Sequence, residues 1–129
     1  MKRDPDLIRA LILRLEDYPQ RYGAVTFFKH GDPDIAIEGY EADQIGYHAR
    51  LLADAGYIKE PDARPMSGFG FSGLTWAGHD FADSVRDPEI WSKTKSSASA
   101  AGGWTLDMLG ELAKGFVKTK IEQHTGIRL

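Results

Sequence analysis

Apolar residues fall into one stripe along residues 4–17, "DPDLIRALILRLED", where Leu7, Ile8, Leu11, Ile12 and Leu15 recur at helical spacing and Arg9, Arg14 and Glu16 lie off it. Asp4 is placed to cap this helix, Pro5 sits where a first-turn proline is tolerated, and Asp6 favours the positive end of the helix dipole. Tyr18-Pro19 ends it, because the proline ring disfavours helix at the residue before it. A strand-like patch, Val25 to Phe28, then closes at the turn former Gly31-Asp32-Pro33. Residues 34–40, "DIAIEGY", alternate around Ile35 and Ile37 and predict a short strand, a hairpin partner for residues 24–29. In "YEADQIGYHARLLADAGYIKE", residues 40–60, the positions Ala42, Ile45, Ala49, Leu52 and Ala53 predict a second helix, stopped by a left-handed Gly56.

Tyr57 and Ile58 resume an extended chain, and the glycine- and proline-rich residues 61–73, "PDARPMSGFGFSG", read as the loose tip of a β-hairpin whose second strand Leu74-Thr75-Trp76 closes. A helix carrying Phe81 and Val85 inward follows, with Pro88 as a break or a new start before Ile90 and Trp91. Residues 96–103, "SSASAAGG", have the composition of a flexible linker. A final helix begins near Trp104 and repeats Leu106, Leu109, Leu112 or Ala113, Phe116 and Ile121. The expected fold is therefore α+β: a winged helix-turn-helix-like domain over residues 1–95, made of a helix, a strand, a recognition-type helix and a β-hairpin wing. Residues 96–103 are the expected linker, and residues 104–129 the expected C-terminal helix and candidate dimerisation element. The space between Ile37 and Glu41 is too short for the extra helix that precedes the recognition helix in three-helix winged folds, so that element is missing, shortened or displaced into residues 18–33.

Composition narrows the function classes. The 129 residues are 42% hydrophobic and 27% charged, ordinary for one globular domain, and the absence of cysteine excludes disulfides and thiolate metal sites. Met1-Lys2-Arg3-Asp4 leads straight into an amphipathic stretch, and no apolar run approaches the roughly 18–20 residues that span a bilayer, so a cytoplasmic protein without membrane contact is expected. The formal net charge of −3 gives no electrostatic footprint for nucleic acid over the whole molecule, though a local basic face remains open.

Three segments, "MKRDPDLIRALILRLED", "YHARLLADAGYI" and "LTWAGHDFADSVRDPEIWSKTK", resemble in the same order those of a bacterial and prophage family, domain of unknown function 2513. The resemblance implies a winged-helix-like fold and no established activity. The helix end is also similar to the recognition-helix ending of winged-helix repressors of the metal-responsive kind, but Ala49 and Tyr57 depart from their pattern and the cysteine ligands are lacking.

If residues 42–54 form a recognition helix, its outward side chains meet base edges or phosphates: Gln44, Tyr47, His48 and Arg50, with Asp43 beside them and Lys59 and Arg64 adding phosphate contacts from the wing. Gln44 suits adenine, and Arg50 suits guanine or a phosphate. Against this, residues 41–60 hold four carboxylates and two cations, and acidic groups beside phosphates weaken the backbone attraction that supplies much of DNA affinity. Lys114, Lys118 and Lys120 make a secondary basic patch on the last helix. "GFGFSG", Gly68 to Gly73, matches a dinucleotide fingerprint letter for letter, but strand chemistry rather than a helix follows it, so the glycines belong to the wing. His79-Asp80 is read as a helix start, and Trp76, Trp91 and Trp104 as core or interface anchors. No catalytic constellation, metal site or cofactor motif emerges. The expectation is a regulatory, double-stranded-DNA-binding homodimer, with a protein-protein adaptor on the same scaffold as the alternative.

Overall fold

The computed structural model describes residues 1–62 and 64–129; Ala63, within the expected wing tip, lies outside the described residues. Among the described residues the chain is α+β, with five α-helices and a two-stranded antiparallel sheet. It divides into two compact units, Met1–Ala82 and Asp83–Leu129.

In the first unit, α1 spans Pro5–Asp17. Asp4 caps it, its Oδ1 accepting the Leu7 N–H at 3.1 Å, and Tyr18 leaves the helix with extended dihedrals before Pro19. All five apolar positions of the stripe are buried, each worth about 1.5–3 kcal/mol relative to exposure. Strand β1, Thr26–Lys29, directs Phe28 into the same core. There Phe28 meets Tyr18 edge-on with centroids 4.9 Å apart and lies near Phe69 and Phe71 at 5.4 and 6.1 Å.

Residues 34–40 do not form the expected strand. A 3-10 turn, Pro33–Ile35, stands there, with Asp32 accepting from the Asp34 N–H at 3.0 Å and Ile35 buried. The local Asp-Pro chemistry favours a tight turn over the alternation of two isoleucines. β1 pairs instead with β2, Gly68–Phe71, in the antiparallel register Thr26↔Phe71 and Phe28↔Phe69. Just past the end of β2, Ile58 bridges Leu74, the Lys59 N–H donates to Gly73 O (2.8 Å) and the Ser72 N–H to Lys59 O (3.0 Å). The expected wing pairing is thus present but brief.

Helix α2, Ala42–Asp54, starts with a capping box of Glu41 and Gln44. It ends at Gly56, whose φ of +81° lets the Tyr57 N–H reach back to Leu52 O at 2.9 Å. Ile45, Ala49 and Leu52 are buried; Ala42 and Ala53 are only partly so. Thr75 and Trp76 do not extend the strand as expected: the Thr75 hydroxyl accepts the Gly78 N–H at 3.0 Å, and α3 runs Trp76–Val85.

In the second unit, α4 covers Pro88–Ala100 and α5 covers Leu106–Thr125, and the two pack on each other. Ser96 to Ala100, expected as linker, continue α4 because Ala98 is buried and the serines tolerate a helix. The turn is confined to residues 101–105. The expected α5 stripe splits: Leu109 and Ala113 are buried, whereas Leu112 and Phe116 stay partly exposed and Ile121 is exposed.

Candidate functional site

His48 does not face solvent. It is 1% exposed, and its ring bridges two elements: the Asp4 N–H donates to Nε2 at 2.8 Å, and the opposite nitrogen, Nδ1, lies 2.8 Å from Gln44 O. A backbone N–H only donates, so Nε2 is the acceptor and Nδ1–H the donor, a neutral imidazole fixed in one tautomer. Asp4 completes a node, its Oδ2 accepting the Tyr40 hydroxyl at 3.1 Å. Burial, then the bond to Asp4, pushes the Tyr40 phenol above its usual value. The sequence places His48 beside the exposed Tyr47, and nothing in the helical spacing foretold a partner 44 residues away. The signal was negative: α1 has Leu7 where a capping box needs Glu or Gln, so the Asp4 N–H required a partner from elsewhere.

The remaining candidates on α2 and the wing are present at the surface but mostly occupied. Gln44 Oε1 accepts the Glu41 N–H at 2.9 Å, so its amide oxygen closes the cap. Tyr47 is partly exposed and stands edge-on to His48. Arg50 Nη1 is 3.6 Å from Glu60 Oε1, an ion pair longer than a hydrogen bond. Arg64 Nη2 lies 3.2 Å from Asp54 Oδ1 and 2.7 Å from Glu60 Oε1. That Glu60 oxygen is buried and accepts no well-directed hydrogen bond, so the short contact is best taken as charge pairing, with misaligned donors. Lys59 is exposed and has no ionic partner among the described residues. Asp43 Oδ1 holds His30 Nε2 at 2.7 Å.

Beside α2 a cavity of about 410 Å³ opens between the ends of β1 and β2, the 3-10 turn and residues 64–66. Phe28, Ile35, Ile45 and Phe69 line its apolar part; Lys29, Arg50 and Arg64 line its polar part. Arg50 and Arg64 therefore meet at one place, but at a recess and not on a convex reading face.

The glycines of "GFGFSG" serve packing. A Cβ on Gly68 would stand 2.0 Å from Phe28 O, and one on Gly70 would stand 2.7 Å from the Pro61 ring; Gly73 has φ +122°. His79 Nδ1 bonds Glu16 Oε2 at 3.0 Å, tying α3 to α1. Among the described residues no group of three or more His, Asp or Glu is placed to hold a metal, and no helix is long and apolar enough to cross a membrane. The tryptophans divide: Trp91 is core at 4% exposed, Trp104 is half-buried and Trp76 is 85% exposed.

In the second unit the basic patch is broken up. Lys120 Nζ bonds Asp87 Oδ2 at 2.7 Å, while Asp87 Oδ1 caps α4 through the Glu89 and Ile90 N–H groups at 2.8 and 3.2 Å. The Lys120 bond, then the Ile90 amide, holds the Asp87 carboxyl below the usual carboxylate range, and Asp87 raises the Lys120 ammonium in turn. Lys114 lies 3.6 Å from Glu111, and Lys118 is exposed without an ionic partner among the described residues.

A family model described as "Hypothetical protein (DUF2513)" matches residues 2–104. An uncharacterised protein of Haemophilus influenzae is 30% identical over 125 residues, covering 95% of this chain and 98% of that relative. No solved structure matches the chain. The chain belongs to the DUF2513 family.

Proposed function

We propose that this DUF2513 member uses a winged-helix-like first unit as a protein-interaction module and not as a reader of DNA bases. The order α1, β1, a 3-10 turn, α2, the short bridge at Ile58, β2 and α3 supports the winged reading, with Pro33–Ile35 standing where a helix precedes the recognition helix. The observation that carries the functional part is the internal neutralisation of Arg50 and Arg64 by Glu60 and Asp54. Phosphate binding draws its free energy from cations that release counterions. Here Arg64 would first have to abandon Asp54 and the largely buried Glu60, and the charge of Arg50, 3.6 Å from the same Glu60 oxygen, is partly offset although its N–H donors are not bonded to it. Trp76, a large apolar side chain held out at the start of α3, supplies the kind of anchor that dominates protein interfaces.

Fluorescence anisotropy with a labelled mixed-sequence duplex at low salt separates the two readings. The wild-type chain gives no shift, whereas the Asp54→Asn, Glu60→Gln double variant, with its arginines released, gains salt-sensitive binding. A wild-type shift that Arg50→Ala abolishes would restore the base-reading alternative. For the partner, retention from the native cell extract is lost on Trp76→Ala and kept on Arg50→Ala.

We also propose α5 as a self-association element. Met108, Leu112 and Phe116 line an apolar groove with Ala98 and Ala101 on the α4–α5 pair, a surface that a second copy would cover.

A further inference from the structure

We infer that the cavity beside α2 is a binding site for a small free carboxylic acid with an apolar body. This inference stands independently of the interaction-module reading, and either holds without the other. The volume of about 410 Å³ falls within the roughly 300–1,000 Å³ typical of small-molecule sites. Phe28, Ile35, Ile45 and Phe69 are each at most 6% exposed, so the floor is rigid core. Met66 at the lip is fully exposed, a flexible thioether able to fold over an occupant.

The polar part selects the charge. Lys29 has no ionic partner among the described residues, and Arg50 is held only by the 3.6 Å contact to Glu60, so its N–H donors remain available. Asp32 is the one carboxylate among the lining residues, and its Oδ1 already accepts the Asp34 N–H at 3.0 Å. His30 is engaged by Asp43. A planar guanidinium and an ammonium lining one cavity fit a carboxylate better than a neutral or cationic group.

Gly46 borders the same cavity. It lies in the middle of α2, where glycine costs about 1 kcal/mol relative to alanine. No packing demands it: a Cβ there would meet no heavy atom within 4 Å. Gly46 is exposed and is one of the residues that line the cavity. Gly46 is therefore the position at which an added side chain tests the cavity with the least disturbance of the core.

The test uses three ligands with one tail (decanoate, decanol and decylammonium) titrated into the full-length chain below their micelle concentrations and followed by amide NMR. Decanoate gives saturable shifts centred on Ile45, Gly46, Arg50 and Phe69; decanol binds at least about tenfold more weakly and decylammonium more weakly still. Gly46→Leu removes decanoate binding, and Gly46→Ala weakens it while melting at or above the wild-type temperature, so lost binding is not lost folding. Arg50→Gln reduces affinity about tenfold. Equal binding of all three ligands, no saturable shift with decanoate, or unchanged decanoate affinity in both Gly46 variants overturns the proposal.

Discussion

Replacing His48 with leucine tests the node that joins the start of α1 to the middle of α2. Leucine roughly preserves the volume, so the perturbation is the loss of two hydrogen bonds, Asp4 N–H to Nε2 and Nδ1–H to Gln44 O, both 2.8 Å. Gln44 O retains its helical bond, and the second loss costs about 0.5–1 kcal/mol. The Asp4 N–H is left partly buried without an acceptor, because Leu7 at the third helical position offers no capping-box side chain; that costs about 1–3 kcal/mol. The sum, about 1.5–4 kcal/mol, is a large fraction of the 5–15 kcal/mol that ordinary domains possess. Urea unfolding followed by circular dichroism reads it as a fall of about 1–2 M in the midpoint. Hydrogen exchange shows faster loss of the Asp4 amide proton under native conditions. Tyr40→Phe is the internal standard: it deletes one bond to the same aspartate from a half-exposed side chain, and costs about 0.5–1.5 kcal/mol. A His48→Leu variant no less stable than Tyr40→Phe would refute the assignment of His48 as a structural acceptor and return it to the candidate binding face.

Gly78→Ala places a Cβ 1.9 Å from Tyr57 O, a backbone atom, and should destabilise by about 3 kcal/mol or more, whereas Gly115→Ala on the open face of α5 should raise the melting temperature; equal effects would show that α3 does not approach so closely. The Asp87 carboxyl is lowered by Lys120, so its contribution to the α4–α5 clasp is present above the ordinary carboxylate pKa and lost as pH falls through the depressed value. The Lys120 contribution is present below the ordinary ammonium pKa and lost as pH rises through its raised value. Protection of the Glu89 and Ile90 amides, taken as exchange relative to the intrinsic rate at each pH, is therefore flat between the lowered carboxyl and the raised ammonium and falls outside them, and Asp87→Asn removes the fall on the acid side; an unchanged acid limb would exclude the clasp. Light scattering should give twice the mass of one chain for the wild type and the mass of one chain for Phe116→Asp, and a wild-type monomer would exclude self-association through α5.

What was legible in the sequence was what local physics settles. The α1 stripe, the Asp4 cap, the Tyr18-Pro19 stop and the Gly56 left-handed end each depend on a few adjacent residues, and each is where the spacing put it. Residues 34–40 misled because two isoleucines alternate like a strand, while Asp32 and Pro33 fix a turn before either can pair. The serine-rich end of α4 misled because composition says nothing of Ala98, which a partner helix buries. The pairing of β1 with β2 was illegible because it joins segments some forty residues apart, and loop closure of that length leaves no local trace.

The candidate site was read least well, for a related reason. Spacing on a helix gives the direction of a side chain but not what waits there: His48 and Tyr47 are neighbours in sequence, yet one is core and the other surface. The three segments that carry the family resemblance meet through such long-range contacts. The first reaches the second through Asp4 and His48, and the second reaches the third where the Tyr57 carbonyl accepts from the Thr75 N–H at 3.1 Å and lies against Gly78. Residues that hold a fold together in this way explain the resemblance without any shared chemistry. Chemistry is then to be sought off those contacts, at Arg50 and Lys29 around the cavity and at the exposed Trp76.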